Sequence, residues 1–298
     1  MKKNKGMIVA FLTPAVIFFV VIFVYPIIRT VLMTFFRIEG VTDSMSLWTF
    51  TGIENYKTLL TTSLFRTAMM NLAKIWLFGG IIVMSMSLLF GVIITSGIRF
   101  KKFFRAVIYL PNIVSAVALA TMWLQYVYSP KYGLFRNLFT ALHMNKLAAI
   151  PWTDGDHKFM ALLIAYCFGM IGYHMLIWTS GIERISPDLY EAATIDGATR
   201  LQKMWYISVQ LIKPTIVILL VMQVGKIMSL GSDKALLLQR EVTYPKSQIL
   251  STYIYNLGIG KGEFDYSAAI GLFNSGINVL LVLAANWISR KLTDTSLW

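Results

Sequence analysis

Charge is what this sequence is short of. Only 14% of its 298 residues are charged, against about 25% in a soluble domain. Hydrophobic residues make up 57% and the mean hydropathy is +0.65. A water-facing globular surface is excluded; much of this chain must meet lipid. There is one cysteine, Cys167, so no intrachain disulfide can form, and its apolar surroundings read as those of a small buried residue. The three histidines, His143, His157 and His174, are scattered and offer no His-x-x-x-His ligand spacing. That absence argues against a membrane-bound metalloenzyme. No Gly-rich phosphate loop of the G-x-x-x-x-G-K-S/T type is present. If ATP drives this protein, another chain binds it.

What is there is a set of long apolar runs with basic residues between them. The net charge is +13, but the charges form no stripe, so a nucleic-acid surface is not indicated. A spanning helix needs about 20 mostly apolar residues. Runs of that kind predict six spans, at about 7–34, 70–98, 104–129, 158–182, 206–230 and 266–290. Lys213 and Lys226 interrupt the fifth. The runs are too long for barrel strands, so the expected fold is an all-α membrane protein, one domain over residues 1–298. Lys2, Lys3 and Lys5 before the first run imitate a secretory signal. The uncharged stretch from Gly6 to Ile28 is longer than a signal's apolar core, which predicts a retained span.

Orientation follows from the density of Lys and Arg. With the N-terminus in the cytoplasm, segments 1–6, 97–105, 183–213 and 290–298 are cytoplasmic, and Arg99, Lys101, Lys102 and Arg105 cluster in the second. Acidic residues fall on the other side: Glu39, Asp43, Glu54, Asp154, Asp156, Asp233, Glu241, Glu263 and Asp265. Both termini are expected to be cytoplasmic. Residues 132–146 are amphipathic and fit a helix lying along the outer interface.

The cytoplasmic segment after the fourth run reads Ser186-Pro-Asp-Leu-Tyr-Glu-Ala-Ala-Thr-Ile-Asp-Gly-Ala-Thr-Arg. Ser186 suits an N-cap and Pro187 a first helical position. Asp188 suits the positive end of the helix dipole, and Gly197 suits a left-handed C-terminus. The spacing predicts a short helix over about 187–197 with a small face at Ala192 and Ala193, followed by a hinge. Glu191-Ala192-Ala193, three residues, Gly197, nine residues, Ile207 resembles the EAA loop of binding-protein-dependent ABC import permeases. The sequence departs from that pattern at Val209-Gln210, where the family has Leu-Pro; Pro214 matches the proline that follows.

Further matches resemble the carbohydrate-uptake branch. They are Thr13-Pro14-Ala15 with Tyr25-Pro26-Ile27, Phe50-Thr51-Gly52-Ile53-Glu54-Asn55-Tyr56, Phe103-Phe104-Arg105 with Leu110-Pro111, and Asn286 to Leu292 with the final Thr295-Ser296-Leu297-Trp298. The last is similar to the lipoprotein/polysaccharide permease subgroup of Gram-positive bacteria. The resemblance implies a non-enzymatic permease subunit in a bacterial cytoplasmic membrane. Its expected partners are a second permease, two ATPase chains that bind ATP–Mg, an extracellular solute-binding protein and a saccharide, with no cofactor in this chain. Glu191, Ala192, Ala193, Asp196 and Gly197 would form the coupling helix that docks on the ATPase.

Polar residues inside apolar runs mark the candidate substrate path, because they are costly in lipid. Lys226 lies in the fifth run with Gln223 and Ser229 one turn away. His174 is mid-run in the fourth, beside Tyr173. Asn274 and Asn278 are an i, i+4 pair in the sixth. Each has a plainer alternative: the asparagines bond neighbouring helices, His174 packs, and Lys226 pairs with a partner's carboxylate. An ion-coupled secondary transporter would want intramembrane carboxylates. The five uninterrupted runs contain no Asp or Glu, which argues against that rival. A non-sugar cargo stays open.

Overall fold

The computed structural model describes residues 5–40, 42–154, 157–225 and 248–293. The described residues are helical apart from one two-stranded hairpin and the connecting turns. In chain order the principal helices are α1 (Gly6–Met33), α2 (Glu54–Thr61), α3 (Ser63–Thr95), α4 (Lys101–Ile113), α5 (Ala116–Val127), α6 (Leu134–Ala141), α7 (Lys158–Ile182), α8 (Pro187–Ile195), α9 (Arg200–Leu211), α10 (Lys213–Gly225), α11 (Leu250–Tyr255) and α12 (Phe264–Thr293). Four of them, α1, α3, α7 and α12, are long and apolar enough to cross a membrane by themselves. The pairs α4–α5 and α9–α10 bring the total to six if each is counted as one broken span.

Those breaks are where the structure departs from the hydropathy reading. Residues 104–129, read as one run, fold as α4 and α5 with a 100° bend between them. Pro111 disrupts the helical ladder, and Ser115 restarts it by accepting the amide of Ala118 at 3.2 Å. α9 and α10 meet at 61°, just before Pro214. The second run also begins earlier than expected, at Ser63 rather than near residue 70.

The chain divides into two compact units: residues 1–65 with 253–276, and residues 66–252 with 277–298. In the first, α1 is exposed along its whole apolar length, as a lipid-facing helix would be. Its end is fastened by the Phe50–Tyr56 segment. The hairpin pairs Phe36 with Phe50 and Arg37 with Thr49, and Gly52 takes a positive φ of 62° to turn the chain into α2. Asn55 then donates to the carbonyl of Thr34 at 3.1 Å, and Tyr56 to its hydroxyl at 2.9 Å.

In the second unit α7 is the central helix. It packs on α3 and α4 through glycines that let backbones approach closely. A Cβ on Gly91 would sit 2.9 Å from Trp178 Cβ, and one on Gly172 would sit 2.3 Å from the Ile108 carbonyl oxygen. Trp178, fully buried, donates its indole N–H to Ser87 at 2.9 Å. This bond settles the one polar atom of the largest core side chain, as burial requires.

Candidate functional site: a suspended loop helix and two intramembrane cavities

α8 is terminated at both ends by local chemistry. Ser186 Oγ accepts the amide of Asp188 at 3.4 Å, and Pro187 opens the helix. At the other end Gly197, with φ of +76°, completes a Schellman motif: its amide donates to Thr194 O at 3.1 Å and that of Ala198 to Ala193 O at 2.9 Å. Nothing lies within 4 Å of where a Cβ on Gly197 would stand. The glycine is therefore required by its backbone angle and not by crowding. Thr199 and Gln202 then form a reciprocal capping box that starts α9, with Thr199 N donating to Gln202 Oε1 at 2.7 Å.

Two side-chain bonds hang α8 from α9. The Tyr190 and Ser208 hydroxyls are 2.9 Å apart, and Lys203 Nζ donates to Thr194 Oγ1 at 2.6 Å. Tyr190 and Thr194 are four residues apart, so one face of α8 is committed to its own chain. The other face is open: Glu191, Ala192, Asp196 and Gly197 are exposed and Ala193 is half-buried. Ile195 is 86% exposed and is joined by exposed Leu189, Leu201, Trp205 and Tyr206. Exposed apolar side chains are therefore found both on α8 and on the first turns of α9. Nearby, Arg105 and Glu183 form a salt bridge of 2.6 Å. It joins two segments that the distribution of basic residues assigns to the same side of the membrane.

The intramembrane candidates are not gathered in one place. Tyr173, on α7, lines a cavity of about 320 Å³ with Tyr109, Ile177, Ser180, Arg184 and Thr215. Gln223, on α10, lines a different cavity of about 290 Å³ with Trp76, Gly80, Met84, Ile216 and Leu220. There, the Trp76 indole nitrogen is a buried donor with no hydrogen-bond partner among the described residues, and the buried Gln223 amide interacts with the Tyr166 hydroxyl. His174 is buried, and its Nδ1 donates to Met170 O at 3.0 Å within its own helix, with its ring edge-on to Tyr173. Asn278 donates to the carbonyl of Gly225 at 2.9 Å, tying α12 to the end of α10, while its Oδ1 has no partner among the described residues. Asn274 Oδ1 is likewise buried without a partner among the described residues. Lys226 and Ser229 lie outside the described residues.

Two features escaped the sequence reading. Trp76, which the sequence reading did not weigh, lines the Gln223 cavity four residues before Gly80. In the first unit, Glu39, Glu54, Glu263 and Asp265 gather with Arg37 and Asn55 around an open cavity of about 510 Å³. All four acids had been placed outside, but they lie too far apart in sequence to be read as one site. Close by, burial above all, with help from Tyr266 and Glu263, raises the pKa of the buried Tyr253 hydroxyl and keeps it neutral.

A bundle of apolar helices with a capped, outward-facing loop helix defines a membrane transport subunit, and the comparisons give the family. Residues 87–294 match the model for the binding-protein-dependent transport system inner membrane component. The chain belongs to that family. It is similar to the polygalacturonan/rhamnogalacturonan transport system permease protein YteP of Bacillus subtilis, at 30% identity over 200 residues. That match covers 67% of this chain and 61% of the relative, so the matched part spans about three fifths of that protein. Solved structures match along nearly the whole chain. One is a bacterial ABC transporter involved in the import of the acidic polysaccharide alginate, with 27% identity, a TM-score of 0.84, and 98% and 97% of the two chains covered. Another is the bacterial alginate ABC transporter in complex with an alginate pentasaccharide-bound periplasmic protein, with 27% identity, a TM-score of 0.83, and 99% and 98% covered.

Proposed function

We propose that this chain is one of two permease subunits of an ATP-driven importer for an oligosaccharide of acidic character. The observation that carries the reading is the position of α8 inside the region matched by the family. It is an exposed helix held by its own chain on one face and open, apolar and small-sided on the other. Two ATPase chains bind ATP–Mg and dock on that open face through Glu191, Ala192, Ala193, Asp196 and the Gly197 turn. Motion of the docked helix passes into α9 through Tyr190–Ser208 and Thr194–Lys203. The intramembrane cavity then alternates between the two sides. No covalent chemistry takes place in this chain and it holds no cofactor of its own.

In this reading both termini are cytoplasmic, six spans cross the bacterial membrane, and a solute-binding protein delivers cargo from outside. Tyr173 and Gln223 line the path, and Lys226 and Ser229, outside the described residues, are assigned to it by their place in the fifth apolar run alone. Acidic cargo is supported by the alginate importer's description and by a lysine in an apolar run, where an anion would offset its cost.

The test is to purify the complex through this subunit, identify the chains that come with it, and measure ATP hydrolysis with candidate binding proteins. Those loaded with uronic-acid oligosaccharides should stimulate hydrolysis, and those with neutral ones should not. Purification without any ATPase chain would end the proposal.

A further inference from the structure

α4 presents two unlike faces. Arg105, Ile108, Tyr109 and Asn112 lie against α7: Arg105 pairs with Glu183, Asn112 donates to Gly169 O at 3.1 Å, and the backbone at Ile108 and Tyr109 sits over Gly172. The other face carries Phe103, Phe104, Val107, Leu110 and Ile113, all exposed at the spacing of one helical stripe. Phe103 to Ile113 is ten helical steps, about 15 Å along the axis. That is about half of the ~30 Å hydrocarbon thickness, the depth of one leaflet.

A basic cluster sits at the end of this stripe. Lys101, Lys102, Gly97, Ile98, Phe100 and Phe103 line an open cavity of about 630 Å³, and Arg99 lies over the Phe100 ring at 5.5 Å. Neither lysine has a carboxylate within salt-bridge reach among the described residues, and the first turn of α4 contains no acid. Phe100 takes a left-handed φ of 64°, a conformation that costs a non-glycine residue about 1–2 kcal/mol.

We propose that this corner binds an anionic phospholipid, its headgroup phosphate held by Lys101 and Lys102 and one acyl chain lying along the α4 stripe. The pairing of a cationic end with an apolar stripe one leaflet deep fits a lipid's own division into headgroup and tail. A partner protein would need acids for the lysines and no particular depth. Lysine stems also reach toward headgroups while their methylenes stay in the apolar layer. The inference rests on the chain being membrane-embedded. It depends on neither the cargo nor the orientation, so its failure leaves the transport reading untouched.

The test uses the full chain, with the subunits that purify with it, in phosphatidylcholine nanodiscs doped with phosphatidylglycerol. Each lysine near an anionic surface contributes roughly a fivefold factor in affinity. Lys101→Gln with Lys102→Gln should weaken phosphatidylglycerol retention about 25-fold, while Lys101→Arg with Lys102→Arg should retain it. Equal retention in all three would overturn the site, as would equal loss of phosphatidylcholine. In an otherwise unaltered chain, a photoreactive benzophenone residue replacing Phe103 should crosslink to phospholipid. A crosslink to another polypeptide would assign the corner to a protein partner and overturn the proposal, whether or not the glutamine variant folds.

Discussion

The α8 segment and the α7–α10 interior are built on opposite plans. In α8 the determinants all lie between Ser186 and Gln202: Ser186 and Pro187 at one end, Gly197 at the other, and a capping box at Thr199 and Gln202. Its outward side chains, Glu191, Ala192, Ile195 and Asp196, are exposed among the described residues. The interior depends on partners far apart in sequence, such as Trp178 with Ser87 and Gly172 with Ile108. Its cavities are lined by residues from several helices. A capped loop helix can be specified locally; a packed helical interior cannot.

Substitutions can set the two plans against each other. The largest effect is expected at Gly172→Leu, since the added carbons would meet the Ile108 carbonyl and the backbone of Tyr109. Backbone has little room to retreat, so a cost of about 3 kcal/mol or more is expected, read as loss of folded, inserted protein. Gly197→Val should act in the opposite manner. It meets nothing but strains a left-handed position by about 1–2 kcal/mol, so the chain should insert normally while ATP-dependent uptake collapses. If Gly197→Val lowered the yield of folded protein as much as Gly172→Leu, the contrast between the regions would be lost.

A smaller effect is expected from Gln223→Leu. It removes a buried amide from the cavity wall together with its interaction with the Tyr166 hydroxyl, so thermal stability should fall by no more than about 1 kcal/mol. Loss of one hydrogen bond to cargo should raise the KM for uptake by roughly threefold to tenfold. An unchanged KM would remove Gln223 from the path. Arg105→Gln should do least. Its pairing with Glu183 is partly exposed and contributes about 0–1 kcal/mol, measurable in a melting curve of the purified complex and barely in transport.

The same contrast explains what could be read before the structure. Helix-terminating chemistry is local, so the limits of α8 follow from Ser186, Pro187 and Gly197. The density of basic residues put 97–105 and 183–213 on one side, and the Arg105–Glu183 pair joins those two segments, although the pair itself was not foreseen. The break between α4 and α5 was missed because hydropathy cannot distinguish one long run from two bent ones; Pro111 and Ser115 were the available signals. Of the path candidates, Tyr173 and Gln223 line cavities, but separate ones, and His174 is engaged with its own helix. Which polar residue faces an opening depends on helix rotation, which the order of residues within one run does not reveal. The Phe50–Tyr56 segment entered as a resemblance. Its physical role, Asn55 and Tyr56 fastening the end of α1 at Thr34, needed coordinates.

The central claim is that the open face of α8 receives an ATPase, and the chain is well suited to a direct test. Its single cysteine, Cys167, is buried, whereas Ile195 is 86% exposed. Ile195→Cys should give one reactive thiol, protected from a soluble maleimide in the assembled complex and crosslinked by a short bifunctional maleimide to the co-purifying ATPase chain. A thiol that labels equally in the assembled and dissociated states, and forms no crosslink to the ATPase, would contradict it.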